Sequence, residues 1–521
     1  MKVTFVALGS EQLSVSLLAA LARRDGHQVG LAFSAALFDD RYFGIPALAR
    51  WVDDRAAAVA AVVEQRPDVL ACSVLTGSYQ WMLGIAREAK QRLPALKVAF
   101  GGVHPSALPE RVLAREEVDC VCIGEGDEAF PAWLRALERG GPTSPIPNLA
   151  FKGREGQTVF GPRAAFIQDL DRLPFFEKTL WEDHLRVVDP YLTMASRGCP
   201  YRCTFCFNSF FAELPGRGSG RYVRQRGVEH MMGELVAAKR RYGRLRFIDF
   251  QDDVFTVDKE WLRPFLARYR REIGAPFRCL VHPRYVDADI ARWLAEAGCV
   301  WVQMGVQTID DEFKSRTLKR HETMTHVSRA IDALRRQRLH VQVDHILGLP
   351  GEPEDAQERA RQIYAAHAPS RVSTFWATYF PGTVMLREAV ASGIVSEADA
   401  EAFNDGYLPL MRNAVALVAG AERERDFRAY DLIFRLLPLL PARWRGRIGP
   451  RVFRKLPPAV TQALAYAADM LAGLGLDRYE ERAYLRHYLH HLAKFARRRL
   501  GFSLAPATLR PVGADVVLAG C

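Results

Sequence analysis

The first 140 residues alternate short apolar runs with segments in which apolar residues recur at helical spacing. Apolar runs of four to six residues are typical of buried parallel strands, and the segments between them are long enough for helical crossovers. The alternation therefore predicts an open α/β domain of the flavodoxin-like (Rossmann-type) kind, whose ligand lies at the carboxyl ends of the strands. The predicted strands cover residues 3–8, 29–33, 68–73, 98–101 and 119–123, and the predicted helices cover 13–22, 54–65, 79–92 and 128–138.

A second alternation of strand and helix patterns begins near residue 191. It contains six βα units, which predict a partial (β/α)6, TIM-like barrel. The predicted strands cover residues 191–195, 245–250, 277–281, 300–306, 339–347 and 371–379.

The rest of the chain separates and follows these two regions. Residues 141–190 are rich in Pro and Gly with weak periodicity, which is typical of a connector. Beyond residue 390 the pattern is helical, with few strand signals. We therefore predict a first α/β domain at 1–140, a linker at 141–190, a barrel at 191–390 and a helical C-terminal region at 391–521.

Composition fits a multidomain globular protein, since 521 residues exceed one ordinary core and 49% of them are hydrophobic. The net charge of +11 is concentrated in residues 421–521, which hold 18 Lys/Arg and 9 Asp/Glu. An anionic substrate, a membrane surface, nucleic acid or simple solvation would each account for this basic region. The N-terminus lacks a signal-peptide pattern and no run of 18 apolar residues occurs, so a cytoplasmic location is predicted.

The chain has nine cysteines, an odd number that argues against a disulfide framework. Five of them lie in apolar strands or at a helix end, where thiols act as small buried apolar groups. These five are Cys72, Cys120, Cys122, Cys279 and Cys299. Three others lie within eight residues of one another, directly after the first predicted barrel strand.

Cys199, Cys203 and Cys206 have the spacing C-x3-C-x2-C. A loop this short brings its thiolates onto one inorganic cluster, and a [4Fe–4S] cluster normally takes four thiolates. Three ligands leave one iron open to a small molecule, which makes the cluster a site of reaction. A zinc site or three buried thiols are the alternatives, but zinc requires a fourth ligand and only His230 is near in sequence.

With an aromatic residue, Phe205, before the third cysteine and a βα barrel around it, this motif resembles the radical S-adenosylmethionine (SAM) superfamily. The resemblance implies that Cys199, Cys203 and Cys206 are the catalytic cluster ligands. In that family the cluster reduces SAM to a 5′-deoxyadenosyl radical, which abstracts hydrogen from the substrate. The resemblance also implies a set of SAM-binding residues, in the cysteine loop (Phe205) or near the ends of later strands: Phe205, Asp252, Asp253, Gln307, Leu347 and Gly348.

Small residues follow three strands of the first domain, at the edge where a ligand is expected. The pattern resembles the cobalamin-binding domain that precedes many radical SAM barrels; an α/β domain without a cofactor is the alternative. The residues that this resemblance assigns to cobalamin are Ser73, Leu75, Gly101, Gly102, Gly124, Glu125 and Gly126.

A D-x-H-x-x-G match at Asp25–Gly30 spells the motif that places a histidine under cobalt in some cobalamin proteins. In those proteins the motif directly follows the first strand, whereas here it precedes the second. We therefore interpret Gly26-His27 as a helix terminator and expect cobalamin without a histidine lower ligand.

The resemblance implies a cobalamin-dependent radical SAM methyltransferase that acts through methylcobalamin and a 5′-deoxyadenosyl radical on an unactivated carbon or phosphorus. A small-molecule or lipid-like substrate and a one-electron reductant of the flavodoxin or ferredoxin type are its expected partners. The alternative is an oxidative cyclase or rearrangement enzyme similar to the anaerobic magnesium-protoporphyrin ester cyclase. A non-enzymatic cobalamin-binding module is less compatible, because it needs no open iron.

The basic C-terminal helices permit two interpretations: peripheral contact with anionic lipid, or a helical cap on the barrel. The histidine-rich run at 487–491 is interpreted as helix surface, because no carboxylate or cysteine joins it. Nucleic acid is not an expected partner, because no RNA-binding module with aromatic platforms is present.

Overall fold

The computed structural model describes residues 1–38, 46–141, 145–153, 156–215, 220–407, 413–474 and 479–500. Its first sheet has seven strands in the order β2-β1-β3-β4-β5-β6-β7. The strands are β1 Lys2–Leu8, β2 Gln28–Ser34, β3 Val69–Ser73, β4 Lys97–Gly101, β5 Cys120–Cys122, β6 Leu149–Lys152 and β7 Thr158–Phe160. The helices are α1 Leu13–Arg24, α2 Pro46–Trp51, α3 Arg55–Gln65, α4 Tyr79–Arg92, α5 Val103–Ala107, α6 Pro109–Leu113 and α7 Ala129–Glu138.

The first five strands are parallel and follow the order 2-1-3-4-5, which is the flavodoxin-like order and confirms the predicted fold class. Strands β6 and β7 extend the sheet in antiparallel fashion. They lie within the stretch predicted to be a connector, to which the sequence pattern assigned no strands. The region between the two predicted domains therefore begins as an edge of the first sheet.

Helices cover both faces of the first sheet, so neighbouring residues of one strand are buried on opposite sides. On β1, Val6 belongs to one apolar cluster while Phe5 belongs to the other. On β3, Leu70 belongs to the same cluster as Val6, and Ala71 belongs to the same cluster as Phe5. Burial on both faces explains why these strands are continuous apolar runs in the sequence.

The second sheet has six strands, all parallel to their neighbours, in the order β15-β14-β13-β12-β11-β8. This open arrangement is the partial (β/α)6 barrel predicted from the sequence. Its strands are β8 Tyr191–Thr193, β11 Ile248–Phe250, β12 Phe277–Val281, β13 Cys299–Gln307, β14 His340–Leu347 and β15 Arg371–Trp376. Its helices are α8 Asn208–Phe211, α9 Val228–Tyr242, α10 Lys259–Glu272, α11 Ala288–Glu296, α12 Asp311–Arg316, α13 Met324–Arg336 and α14 Ala356–His367.

A two-stranded antiparallel ribbon follows β8 and connects the loop of the three cysteines to the rest of the barrel. It consists of β9, Ser196–Arg197, and β10, Arg224–Gln225, in which Arg224 lies opposite Arg197. The three cysteines lie between these two strands in the sequence, so the ribbon fixes both ends of the segment that contains them.

The C-terminal region is helical in its described part, as predicted. Its helices are α15 Val384–Ala391, α16 Glu397–Asn404, α17 Asn413–Leu436, α18 Ala442–Arg445, α19 Pro458–Leu474 and α20 Tyr479–Leu500. Ile433 and Phe434 of α17 are fully buried in the barrel core. Arg435 pairs with Asp431 and with Asp469, which joins α17 to α19.

Helix α20 returns to the first domain. The backbone N–H of Phe38 donates to the Tyr488 hydroxyl at 2.8 Å, and Arg486 pairs with Asp189 at 2.7 Å. The ring of His491 is buried and lies 3.0 Å from the carbonyl oxygen of His184, so the interpretation of the 487–491 run as helix surface is wrong for this histidine. In the part of the chain that the structure describes, no helix is both long and apolar enough to cross a bilayer.

Candidate active site between the two sheets

A cavity of about 460 Å³ lies between the two sheets, within the size range of cofactor sites. The carboxyl ends of β3, β4 and β5 form one wall, and the loops after β8 and β11 form the facing wall. All seven residues predicted to bind cobalamin line it: Ser73, Leu75, Gly101, Gly102, Gly124, Glu125 and Gly126. On the facing wall, Asp253 is the predicted SAM residue that lines the same cavity.

The Gly101-Gly102 turn lies directly on the backbone of the neighbouring loop. Val74 donates its N–H to the carbonyl of Gly101 at 2.7 Å. Gly102 has φ +101° and ψ −169°, a conformation essentially restricted to glycine. A Cβ at this position would lie 2.8 Å from the Val74 carbonyl oxygen and 2.9 Å from its nitrogen.

The first-domain wall fits a large, flat cofactor. Its backbone turns leave the cavity edge free of side chains at the glycines, and Leu75, 58% exposed, gives that edge an apolar surface. Apolar walls with a few polar groups are typical of cofactor sites. The residues present therefore suit the cobalamin that the sequence resemblance implies, and we propose them as its contacts.

Neither of the two histidines within residues 1–140, His27 and His104, lines the cavity. His27 precedes β2, at the amino end of the sheet, and its Nδ1 lies 3.4 Å from the N-terminal amine. His104 is buried behind the Gly102 turn, with its ring centroid 4.3 Å from that of Tyr79. Among the residues that the structure describes, the lining of the cavity includes no histidine.

We expect the cob(II)alamin form of the loaded protein to show no nitrogen hyperfine splitting from a protein ligand in its electron paramagnetic resonance spectrum. The physical reason is that His27 lies at the opposite end of the sheet from the cavity. The spectrum of His27→Ala should match that of the unaltered protein. A nitrogen splitting that disappears in this variant would contradict the assignment.

The loop of the three cysteines is held tightly against the ribbon. Gly198, with φ +85°, lies so close to the residues just before β10 that an added Cβ would clash with the carbonyl oxygen of Tyr222. Burial raises the pKa of Cys199 to about 12 and that of Cys206 to about 11. The nearby Cys203 contributes to the rise in both pKa values. The thiols are therefore protonated when free, and iron binding would deprotonate them.

Two buried donors point at the cysteine sulfurs. Arg320 Nη1 lies 3.7 Å from Cys203 Sγ, and Asn208 Nδ2 lies 3.7 Å from Cys206 Sγ. N–H donors to sulfur and a nearby cation stabilise an anionic iron–sulfur cluster. Among the described residues, no group of three His, Cys, Asp or Glu side chains that could hold a metal ion is found. The assignment of the cluster therefore rests on the sequence motif, and these two donors to sulfur suit it.

A buried network holds Arg320 in place. Its guanidinium donates to Glu322 at 2.7 Å and to the carbonyl of Gly305 at 2.9 Å. Although burial opposes it, the hydrogen bond with His282 and the charge of Arg320 lower the pKa of Glu322 to about 2. Sequence analysis did not identify Arg320, since 117 residues separate it from Cys203 and no local motif connects the two.

The two aspartates after β11 have different environments. Asp252 is fully buried, and its carboxylate accepts from the N–H of Ala195 at 3.0 Å and from the Ser196 hydroxyl. Burial raises the pKa of Asp252 to about 6. Asp253 lines the cavity and accepts a 3.4 Å hydrogen bond from Asn208. We therefore propose Asp253, rather than Asp252, as the carboxylate that contacts SAM directly.

The other predicted SAM residues lie outside the described lining of this cavity, and their role remains a prediction. Gln307 has φ +68° at a register shift between β13 and β14, an irregularity that often re-aims a side chain near an active site. Leu347 is fully buried at the end of β14, and Gly348 follows it with φ +78°. Phe205 packs against the apolar cluster that contains Phe313.

Four charged residues join the two walls of the cavity, and we call this group the domain clamp: Glu125 and Asp127 of the first domain, and Arg197 and Arg224 of the ribbon. Arg197 donates to both Asp127 oxygens, at 2.7 and 2.9 Å. Arg224 donates to both Glu125 oxygens, at 2.7 and 2.9 Å. Bidentate pairs of this kind fix orientation as well as distance. The clamp therefore fixes the first domain relative to the cysteine loop.

Comparison with known families gives two matches along the chain. The family model of the B12 binding domain matches residues 15–134. The family model of the radical SAM superfamily matches residues 194–363. The first match covers the strands whose carboxyl ends form one wall of the cavity, and the second covers the cysteine loop and most of the barrel.

Three curated relatives cover similar shares of the chain. An uncharacterized methyltransferase of Pyrococcus horikoshii is 25% identical over 63% of this chain and 71% of its own length. The hopanoid C-3 methylase of Methylococcus capsulatus is 26% identical over 73% of this chain and 69% of its own. The anaerobic magnesium-protoporphyrin IX monomethyl ester cyclase of Rubrivivax gelatinosus is 22% identical over 61% of this chain and 57% of its own. The chain thus spans between about three fifths and seven tenths of these relatives.

Among solved structures, the chain is similar to the cobalamin-dependent S-adenosylmethionine radical enzyme OxsB with aqua-cobalamin and SAM bound. The TM-score is 0.63 at 14% identity, over 94% of this chain and 83% of that one. At this identity the similarity supports the fold, including the order of the two domains and the helical region after them.

Proposed function

The chain belongs to the radical SAM enzymes that carry a cobalamin-binding domain, and we propose that it transfers a methyl group to an unactivated carbon or phosphorus of a small-molecule or lipid-like substrate. The observation that carries this proposal is the shared cavity. The glycine turns proposed for cobalamin and the carboxylate proposed for SAM line the same cavity. Two of the three relatives described above are named as methyltransferase or methylase.

When bound, the [4Fe–4S] cluster supplies the electron that cleaves SAM, and cobalamin supplies the carrier for the methyl group. The chain's own residues prepare for this chemistry. Arg320 and Asn208 donate N–H groups to two of the three sulfurs and so favour the thiolate forms. Asn208 also donates to Asp253, which ties the position of this carboxylate to that of the cysteine loop.

Asp253 is suited to hold the ammonium group of SAM. Its carboxylate lies on the cavity wall, and it accepts a single hydrogen bond among the described residues, from Asn208. Burial raises the pKa of Asp253, and no cation among the described residues offsets this loss of water. A ligand with a positive charge would supply that offset through a charge-assisted hydrogen bond.

The first test uses anaerobically reconstituted, cobalamin-loaded protein, reduced and given SAM without a substrate. We expect S-adenosylhomocysteine to form, measured by mass spectrometry, because a methyl carrier in the shared cavity takes the methyl group from SAM. Asp253→Asn is expected to weaken SAM binding about tenfold or more, which is the typical scale for a charge-assisted contact. Cobalamin binding without any S-adenosylhomocysteine would contradict methyl transfer.

An oxidative cyclase or rearrangement enzyme is the second candidate, because one relative is named as the anaerobic magnesium-protoporphyrin IX monomethyl ester cyclase. This candidate and methyl transfer differ in the fate of SAM. Accumulation of 5′-deoxyadenosine without S-adenosylhomocysteine would favour the cyclase over the methyltransferase.

We further propose a cytoplasmic enzyme that receives electrons from a flavodoxin or ferredoxin type of donor. All eight cysteines within the described residues are free thiols, which suits a reducing compartment. The name of the hopanoid C-3 methylase supports a lipid-like substrate in particular. A lipid-like substrate makes peripheral contact with a membrane a natural part of this proposal.

A further inference from the structure

One stretch of the C-terminal region combines many cations with a complete lack of acids. Between Asp431 and Asp469 the sequence has no Asp or Glu. The same stretch contains seven basic residues: Arg435, Arg443, Arg445, Arg447, Arg451, Arg454 and Lys455. Most of them lie in the turns around α18 that lead from α17 to α19.

Four of these cations have no partner of opposite charge among the described residues: Arg443, Arg447, Arg451 and Lys455. All four are exposed. By contrast, Arg435 is paired within the fold, and Arg454 pairs with Asp426. An internal ion-pair network therefore does not account for the four exposed cations.

Large apolar side chains are exposed among the same cations. Trp444 is 45% exposed and lies between Arg443 and Arg445 in the sequence, while Val452 is 67% exposed and follows Arg451. The guanidinium of Arg447 lies 5.8 Å from the Trp444 ring centroid, so this tryptophan lies next to a cation in space as well. Exposed tryptophan flanked by arginine is characteristic of membrane interfaces.

Helix α19, which follows these cations in the chain, also exposes apolar side chains. One side packs inward through Ala465, Ala468 and Asp469. The other side exposes Val460, Leu464 and Leu471, which share one helical face by their spacing of four and seven residues. The single charged residue of α19 is Asp469, which is buried against Arg435. An amphipathic surface helix normally shows solvent a polar face, and α19 shows an apolar one.

We propose that the four unpaired cations, Trp444, Val452 and the exposed face of α19 form a docking surface for an anionic lipid bilayer. Anionic headgroups would pair with the cations, while the tryptophan and the aliphatic side chains would enter the headgroup region. The proposal concerns the surface alone and holds whichever reaction the active site performs.

The charge pattern favours a bilayer over the other occupants of an apolar face. A second copy docked on the same surface would bring four cations against four cations, because a two-fold interface pairs a patch with itself. Nucleic acid would use the cations but not the exposed aliphatic face of α19. A bilayer of anionic lipid matches both the exposed cations and the exposed aliphatic face of α19.

The test is co-sedimentation of the full-length, reconstituted protein with lipid vesicles. We expect binding to vesicles of phosphatidylglycerol and phosphatidylcholine in equal parts, weakened by high salt, and little binding to pure phosphatidylcholine. Each basic residue near an anionic surface contributes about fivefold to partitioning. Arg443→Glu, Arg447→Glu, Arg451→Glu and Lys455→Glu together should therefore weaken binding by several hundredfold or more, on the order of the product of four such factors.

The matched control reverses four other exposed arginines, Arg240, Arg244, Arg270 and Arg271, which lie in or next to α9 and α10. This control variant changes the net charge by the same amount as the test variant, and it should keep most of the binding to anionic vesicles. Trp444→Ala with Val452→Ser should weaken binding while leaving its salt dependence in place. Iron content and the unfolding temperature establish that each variant is folded.

Three results would overturn the proposal. They are no binding of the unaltered protein to anionic vesicles, equal loss in the two charge-reversed variants, and equal binding to pure phosphatidylcholine. A fourth such result would come from light scattering. If the unaltered protein is a dimer and reversal of the four cations makes it a monomer, the surface belongs to a second copy of the chain.

Discussion

Replacing Cys203 with alanine is expected to reduce bound iron and 5′-deoxyadenosine formation to background. Only two thiolates would remain in the loop, and a [4Fe–4S] cluster cannot be held by two protein ligands. Even outer partners of a metal site typically contribute 10–100-fold to affinity, so we expect a loss of more than about 100-fold for a ligand itself. Iron analysis and mass spectrometry of SAM products after anaerobic reconstitution measure both effects.

The control for this prediction is Cys299→Ala. Cys299 is also a buried cysteine of the barrel, but it lies at the first residue of β13, at the opposite end of the strand from the cavity. The Cys299→Ala variant should bind as much iron as the unaltered protein. Unchanged iron content in Cys203→Ala would show that the loop does not hold the cluster.

Replacing Gly102 with alanine is expected to destabilise the first domain by at least about 3 kcal/mol. The backbone conformation alone costs about 1–3 kcal/mol for any residue with a Cβ. The new methyl group would also meet the Val74 carbonyl oxygen at 2.8 Å, where the obstacle is backbone and cannot rotate away. The domain should unfold about 10 °C earlier, measured by calorimetry of the cobalamin-free protein.

The neighbouring glycine gives the matched control. Gly101 lies on the same cavity edge, but an added Cβ would lie 3.4 Å from the Cβ of Cys122, which is close to ordinary contact. Gly101→Ala should therefore change the unfolding temperature by no more than a few degrees. Equal destabilisation by the two substitutions would show that the position of Gly102 against Val74 is not the cause.

Periodicity predicted the two sheets because buried parallel strands leave a strong local signal. Each of the first five strands is apolar on both faces, and this continuous pattern cannot be produced by a half-buried strand. Strands β6 and β7 lack that signal, since they have only four and three residues and β7 is the edge strand of the sheet. Edge strands expose one face and part of their backbone, so their residues need not be apolar.

The residues of the candidate site also differ in whether a local sequence pattern could identify them. The cysteines and the glycine turns are close in sequence, so spacing and strand ends could identify them. Arg320 reaches Cys203 only through the folding of the barrel, and its function as a donor to sulfur has no local pattern. Asp252 and Asp253 show a third case, because one residue at a strand end faces the core and the next faces the cavity.

The domain clamp limits how the two halves of this protein can be recombined. Arg224 is 5% exposed, and its carboxylate partner is contributed by the other half of the chain. A barrel expressed alone, or fused to a foreign first domain without Glu125 and Asp127, would keep both arginines but lose their counter-charges. Removing one partner of a buried ion pair costs about 3–5 kcal/mol. Chimeras of this family should therefore exchange the four clamp residues as one set, and exchange of either domain alone should yield poorly folded protein.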